Sequence, residues 1–151
     1  ALLDTVRALE AAGVPYALIG GLAVGIHAAV PRATQDVDLA VHFVKARDVA
    51  VEALERAGLT KSGAFAHSVN FRHASGEPVQ LAFDPDFDAM IDRAESFEVA
   101  GTRVAIVQKE DLIAMKRRAA GDPARRKSKR LRDEADIELL LGDVPNPDEG
   151  W

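Results

Sequence analysis

The chain contains no cysteine. Neither a disulfide framework nor a thiolate metal site is therefore available to it, a usage that fits a reducing, cytoplasmic environment. Aromatic residues are scarce at 5%, although a hydrophobic content of 48% still supplies a core. No apolar run reaches the roughly 18–20 residues that a membrane span requires. Residues 1–7 show no basic leader followed by an apolar stretch, so no secretory signal is expected. The four histidines, His27, His42, His67 and His73, fall at no metal-ligand spacing, and no Ser-His-Asp arrangement is suggested. Repeats and linkers are missing too. At 151 residues the expectation is one domain over 1–151, with C-terminal helices from about residue 109.

What is present is unevenly charged. The formal charge is −5, yet 9 of the 19 Lys and Arg residues lie between Lys116 and Arg132, against Asp122 alone. The rest of the chain keeps 10 basic residues against 23 of the 24 acids. A basic segment on an acidic body suits a phosphate backbone. It equally suits a solvated loop between two helices, and Gly121-Asp122-Pro123 marks a helix break there.

Periodicity implies an α/β chain with a small mixed sheet and flanking helices. Leu2, Leu3, Val6 and Leu9 recur at helical spacing over 2–12, and Gly13 and Pro15 stop that run. Tyr16–Ile19 reads as a short buried strand and Leu22–Val30 as a helix ended by Pro31. Asp36–Phe43 alternates as a strand, with Asp36, Asp38, Ala40 and His42 on one face. A helix over 44–57, strands over 64–73 and 79–83, a strand pair around Ala100-Gly101-Thr102, and helices over 109–120 and 128–141 complete the expectation.

Asp36-Val37-Asp38 follows Gly20-Gly21 with fourteen residues between them, Leu22 to Gln35. Residues i and i+2 of a strand share a face, so the two carboxylates can converge on one hard cation. Mg²⁺ typically takes one or two carboxylates together with substrate phosphates. The competing reading is a sheet edge blunted by charge. The diglycine, at a strand-to-helix turn, offers backbone N–H groups to a phosphate, or else only a tight turn. Together these features point to phosphoryl-type chemistry on a nucleoside triphosphate. His42 shares the face but lies about 13 Å beyond Asp38, so it reads as peripheral.

The run Leu18-Ile19-Gly20-Gly21-Leu22-Ala23-Val24, then Pro31-Arg32-Ala33-Thr34-Gln35-Asp36-Val37-Asp38-Leu39, resembles the nucleotidyltransferase superfamily related to DNA polymerase beta. Within it, the Gly-Gly-x-Ala and Arg-x-Thr-x-Asp-x-Asp patterns are similar to the branch of AbiEii-type toxins. Glu110–Lys116 and Asp133–Leu139 resemble that branch's C-terminal helices, so the likeness spans roughly Pro15 to Leu141. The resemblance implies a polymerase beta-like fold, an NTP substrate and Mg²⁺ held by Asp36 and Asp38. It implies nucleotide contacts from Gly20, Gly21, Arg32, Thr34 and Lys116, an RNA or tRNA acceptor (with a small acceptor, as in antibiotic adenylylation by related proteins, as the less supported alternative), and an antitoxin protein partner. Arg32 would bind phosphate as a bidentate fork. The alternatives are Arg32 paired with the acidic body, Thr34 capping a turn, and Lys116 as one more solvated lysine.

A further carboxylate from a later strand is part of the superfamily pattern. Here the matching position on Val79–Phe83 is Gln80, which cannot accept a proton as a carboxylate does. Asp84 shares that face but lies roughly 13 Å further along, and Asp86 and Asp88 follow it. Three readings stay open: an Mg²⁺-dependent nucleotidyltransferase with Asp36, Asp38 and Asp84 as catalytic acids; a degenerate relative that binds nucleotide or nucleic acid without turnover; and a protein-partner module.

Overall fold

The computed structural model of the chain describes residues 1–31 and 36–143, with the side chains of 43–45 outside that description. Its elements are α1 (Leu2–Ala11), β1 (Tyr16–Ile19), α2 (Gly20–Ala28), β2 (Val37–Val41), α3 (Phe43–Arg56), β3 (Thr60–Ala64), β4 (Ser68–Arg72) and β5 (Pro78–Ala82). A 3₁₀ turn (Pro85–Phe87) leads into α4 (Asp88–Asp92), then β6 (Glu95–Val99), β7 (Thr102–Ile106), α5 (Lys109–Ala120) and α6 (Lys127–Leu140). The seven strands form one mixed sheet in the order β3-β4-β5-β2-β1-β7-β6.

All four residues of β1 are buried, as an unbroken apolar run at the middle of a sheet should be. It pairs antiparallel with β2 and parallel with β7. Its one polar group is satisfied: the Tyr16 hydroxyl donates to Glu10 at 3.0 Å and accepts the Ala105 N–H at 3.1 Å. Alternation in β2 builds the core. Val37, Leu39 and Val41 are buried, and register places Leu39 beside Leu81, which in turn pairs with Val69. Val6 and Leu9 of α1, with Ala50 and Leu54 of α3, join the same core. Fully burying one such side chain stabilises by about 1.5–3 kcal/mol.

The opposite face of β2 carries Asp38, and the register fixes its neighbours. Asp38 is flanked by Ile19 on β1 and by Gln80 on β5, and Gln80 pairs with Asn70 on β4. Cross-strand partners point to the same side of a sheet. Asp38, Gln80 and Asn70 therefore form one polar row.

Three elements differ from the sequence expectation. The strand expected over 64–73 is reduced to β4, and β3, where no strand is expected, forms a hairpin with it, with a register shift between Lys61 and Gly63. Its edge strand β3 is largely exposed, so it has no apolar alternation to announce it. Second, α4 and its preceding turn occupy a stretch read as loop; there Asp84 accepts the Asp86 N–H and Pro85 sits in the first turn. Third, α2 begins at Gly20 rather than Leu22. It closes at Ala29, whose left-handed conformation (φ 54°) lets Val30 N–H reach Gly25 O at 3.0 Å, before Pro31 is met.

Candidate active site

Asp38 sits at the point where β1 hands over to α2. Gly20 adopts φ +75°, a region L side chains rarely enter. A Cβ built there would stand 2.5 Å from Asp38 Oδ2 and 3.0 Å from Asp38 Cβ. Glycine is thus required twice, for the turn and for the space the carboxylate fills. Gly20 and Gly21 open α2, and among the described residues no side chain caps that end. The leading N–H groups of a helix lack intrahelical acceptors, so an anion beside Gly20-Gly21 would find donors and a favourable dipole.

Asp36 immediately precedes β2 and is exposed, whereas Asp38 is half-buried. Burial, and after it the Asp36 charge, push the Asp38 carboxyl above the usual aspartate value of 3.8. Lys116 and Lys129 act in the opposite direction without cancelling the rise. A partly desolvated carboxylate beside a second one is costly to ionise unless a cation compensates. This donor set, two oxygen-bearing acids two residues apart, fits a hard divalent ion. Among the described residues, no cluster of three or more acids or histidines forms around such an ion.

Lys116 acts on Asp38 from α5, but its ammonium is held by α6. Its Nζ lies 3.2 Å from Asp133 Oδ1 and 3.1 Å from Asp136 Oδ2. Arg125 Nε reaches the other Asp133 oxygen at 2.8 Å. Both acids are buried, at 1% and 4% exposure, so the cations neutralise charges that water cannot. Lys116 is accordingly a fixed cation rather than a solvated one. Much of the basic segment lies on α5 and α6, joined by a short break at 121–126. Lys116 and Arg125 are turned onto Asp133, and Arg118 lies 3.6 Å from Asp86. Arg117, Arg126, Lys127, Lys129 and Arg132 are exposed.

The acids considered for the third carboxylate are engaged elsewhere. Gln80 is the residue paired with Asp38, and Asp84 lies four residues further along the β5 direction, past Ala82, the partner of Ala40. Asp84 Oδ1 accepts the Asp86 N–H at 2.9 Å. Asp86 faces Arg118, and Asp88 lies 3.5 Å from His42 Nδ1. The structure therefore does not bring Asp84 to the Asp38 row, and His42 belongs to an acidic patch with Asp88 and Asp92. Arg32 and Thr34 lie outside the described residues.

A cleft of about 210 Å³ opens beside the pair, lined among others by Asp36, Asp38, Gln80, Asn70, Ser62 and Arg72. A larger cavity of about 580 Å³ lies between α3 and the β3–β4 hairpin, away from the carboxylates, and its wall mixes Arg47, Glu52, Arg56 and Lys61. Arg56 there is already paired with Glu52. The carboxylate pair lies on the wall of the smaller cleft.

The sequence reading missed Asp133, Asp136 and Asn70. The first two had a signal: acids three apart, followed by buried Ile137 and Leu140, place carboxylates on the inward side of a helix. Asn70 had none, since its importance arises only from pairing.

No protein-family model and no curated protein sequence matches the chain. Solved structures do. The lincosamide antibiotic adenylyltransferase LnuA in its lincomycin-bound form superposes with a TM-score of 0.68 at 14% identity, covering 95% of this chain and 96% of that one. The antibiotic-resistance factor ANT(2'')-Ia gives 0.67 at 17% identity, over 94% and 83%. An antigenic nucleotidyltransferase-like protein from Paracoccidioides brasiliensis gives 0.62 at 21%, over 97% and 78%. The chain has the nucleotidyltransferase fold.

Proposed function

We propose that this chain transfers a nucleoside monophosphate from an NTP to an acceptor hydroxyl, releasing pyrophosphate. The observation that carries the proposal is the seating of Asp38 against Gly20, beside Asp36, where β1 becomes α2. One of the structures it resembles is a lincosamide antibiotic adenylyltransferase by description, and another, ANT(2'')-Ia, is described in complex with adenylyl-2''-tobramycin, which supports the reaction class.

In this reading Asp36 and Asp38 hold Mg²⁺, which supplies Lewis acidity toward the phosphate oxygens. The N–H groups of Gly20 and Gly21 bind the triphosphate, and Arg32 and Thr34 contribute nucleotide contacts. Lys116, fixed by Asp133 and Asp136, adds positive charge beside Asp38 without needing to be ordered during reaction. Gln80 cannot take the acceptor's proton. The proton passes instead to Asp38 or to water, with Gln80 orienting the hydroxyl. The exposed cations of α5 and α6 would track an RNA acceptor such as a tRNA end. A cytoplasmic toxin with an antitoxin partner is the setting the AbiEii resemblance suggests.

A second reading is favoured by one observation, the pairing of Gln80 with Asp38 where the superfamily pattern has an acid. It is a nucleotide-binding relative without turnover. Incubation with each α-labelled NTP, Mg²⁺ and total RNA, comparing wild type with Asp36→Ala, decides between them. Label transfer that disappears in the variant supports the enzyme; nucleotide binding with no transfer by wild type supports the second reading.

A further inference from the structure

The side of Asp38 away from Gly20 has its own chemistry. If the triphosphate occupies the Gly20-Gly21 end, the acceptor must approach over β5, β4 and β3. This inference rests on the nucleotidyltransfer reading for that placement. Gln80 lies one strand from Asp38 and Asn70 one strand further, each step about 4.8 Å. Ser62 and Arg72 stand on the same cleft wall. Asn70 Oδ1 is buried and has no hydrogen-bond partner among the described residues. An orphaned buried amide oxygen is destabilising, a cost relieved when a ligand donates to it.

We propose that Asn70 and Gln80 form an acceptor subsite for an uncharged polyhydroxyl group, a sugar-like moiety, and that the subsite discriminates against polycations. The reacting hydroxyl lies by Asp38 and Gln80, and a second hydroxyl of the same moiety donates to Asn70. Beyond Asp36 and Asp38, which the metal neutralises, the described lining of the cleft contains no carboxylate, and Arg72 adds positive charge. A polycationic acceptor therefore finds neutral amides and a repelling guanidinium where it would need acids. A polyol loses nothing there, because amide groups both donate to and accept from hydroxyls.

Side-chain amide signals of ¹⁵N-labelled protein test this directly. Methyl β-D-ribofuranoside serves as the neutral polyol and kanamycin as the polycation. Each is titrated with and without Mg²⁺ and the α,β-methylene analogue of ATP. The polyol is expected to shift the Asn70 and Gln80 side-chain signals, with affinity falling about tenfold in Asn70→Leu, the value of one well-made hydrogen bond. Gln80→Glu, at an exposed position that tolerates charge, is expected to improve kanamycin binding several-fold. With Mg²⁺ present, kanamycin acting on these signals at lower concentration than the polyol overturns the proposal. So do polyol shifts that survive Asn70→Leu unchanged. Nucleotide-dependent shifts at Gly20 and Gly21 report the triphosphate separately. Their absence would defeat the nucleotidyltransfer reading while the nucleotide-free titration still decides the subsite.

Discussion

Replacing Gly20 by alanine tests the packing of the site before any substrate is added. Two costs arise. Alanine at φ +75° costs about 1–2 kcal/mol of backbone strain. Its Cβ, 2.5 Å from Asp38 Oδ2, forces the carboxylate or the strand to move, and overpacking of this kind costs about 1–3 kcal/mol. Alanine also restricts the unfolded chain, which returns about 0.4–1 kcal/mol. The net expectation is a loss of about 3 kcal/mol, measurable by urea denaturation. A second background separates the two costs. In Asp38→Ala the 2.5 Å clash with the carboxylate oxygen is gone while the 3.0 Å approach to Cβ stays, so Gly20→Ala should then cost clearly less, about 2 kcal/mol. Refutation would be a loss below about 0.5 kcal/mol in the wild-type background, or an equal loss in both backgrounds. Either result would mean that Gly20 does not abut Asp38.

Lys116→Met keeps the stem but removes the ammonium between Asp133 and Asp136, leaving buried carboxylates short of a cation; a loss of about 3 kcal/mol in urea denaturation is expected. Asp38→Asn should stabilise the metal-free protein at neutral pH. The folded-state Asp38 pKa is raised, so this site binds more proton in the folded protein than in the unfolded chain, and its contribution to wild-type stability falls as pH rises above about 3.8. The melting-temperature advantage of Asp38→Asn should be absent near pH 3, open as pH climbs, level off above the raised pKa, and shrink when Mg²⁺ is added. An advantage that is constant with pH contradicts this. Gln80→Asp, which restores an acid beside Asp38, should raise label transfer at least tenfold if proton removal limits the reaction; an unchanged rate places the limit elsewhere.

Much of this arrangement was legible in the chain because it is local. Asp36 and Asp38 share a face by strand periodicity, and Gly20 announces a turn wherever a strand meets a helix. The pairing of Gln80 with Asp38 joins two strands about forty residues apart, which alternation within either does not give. What was not legible depends on partners distant in sequence. The Lys116–Asp133 pair joins two helices whose packing the periodicity of neither reveals. Asn70 acquires meaning only through Gln80, and β3 is a strand by hydrogen bonding to β4 rather than by burial. The short α4 lies below the length at which helical periodicity can be read.

The proposed nucleotidyl transfer requires Asp38 to grip a metal-bound triphosphate at the start of α2. Calorimetric titration of the α,β-methylene ATP analogue into wild type and Asp38→Asn, with Mg²⁺ and with chelator, measures that grip. Wild-type binding should require Mg²⁺ and weaken at least tenfold in the variant. Equal affinity in the two proteins, or binding indifferent to chelator, would contradict it.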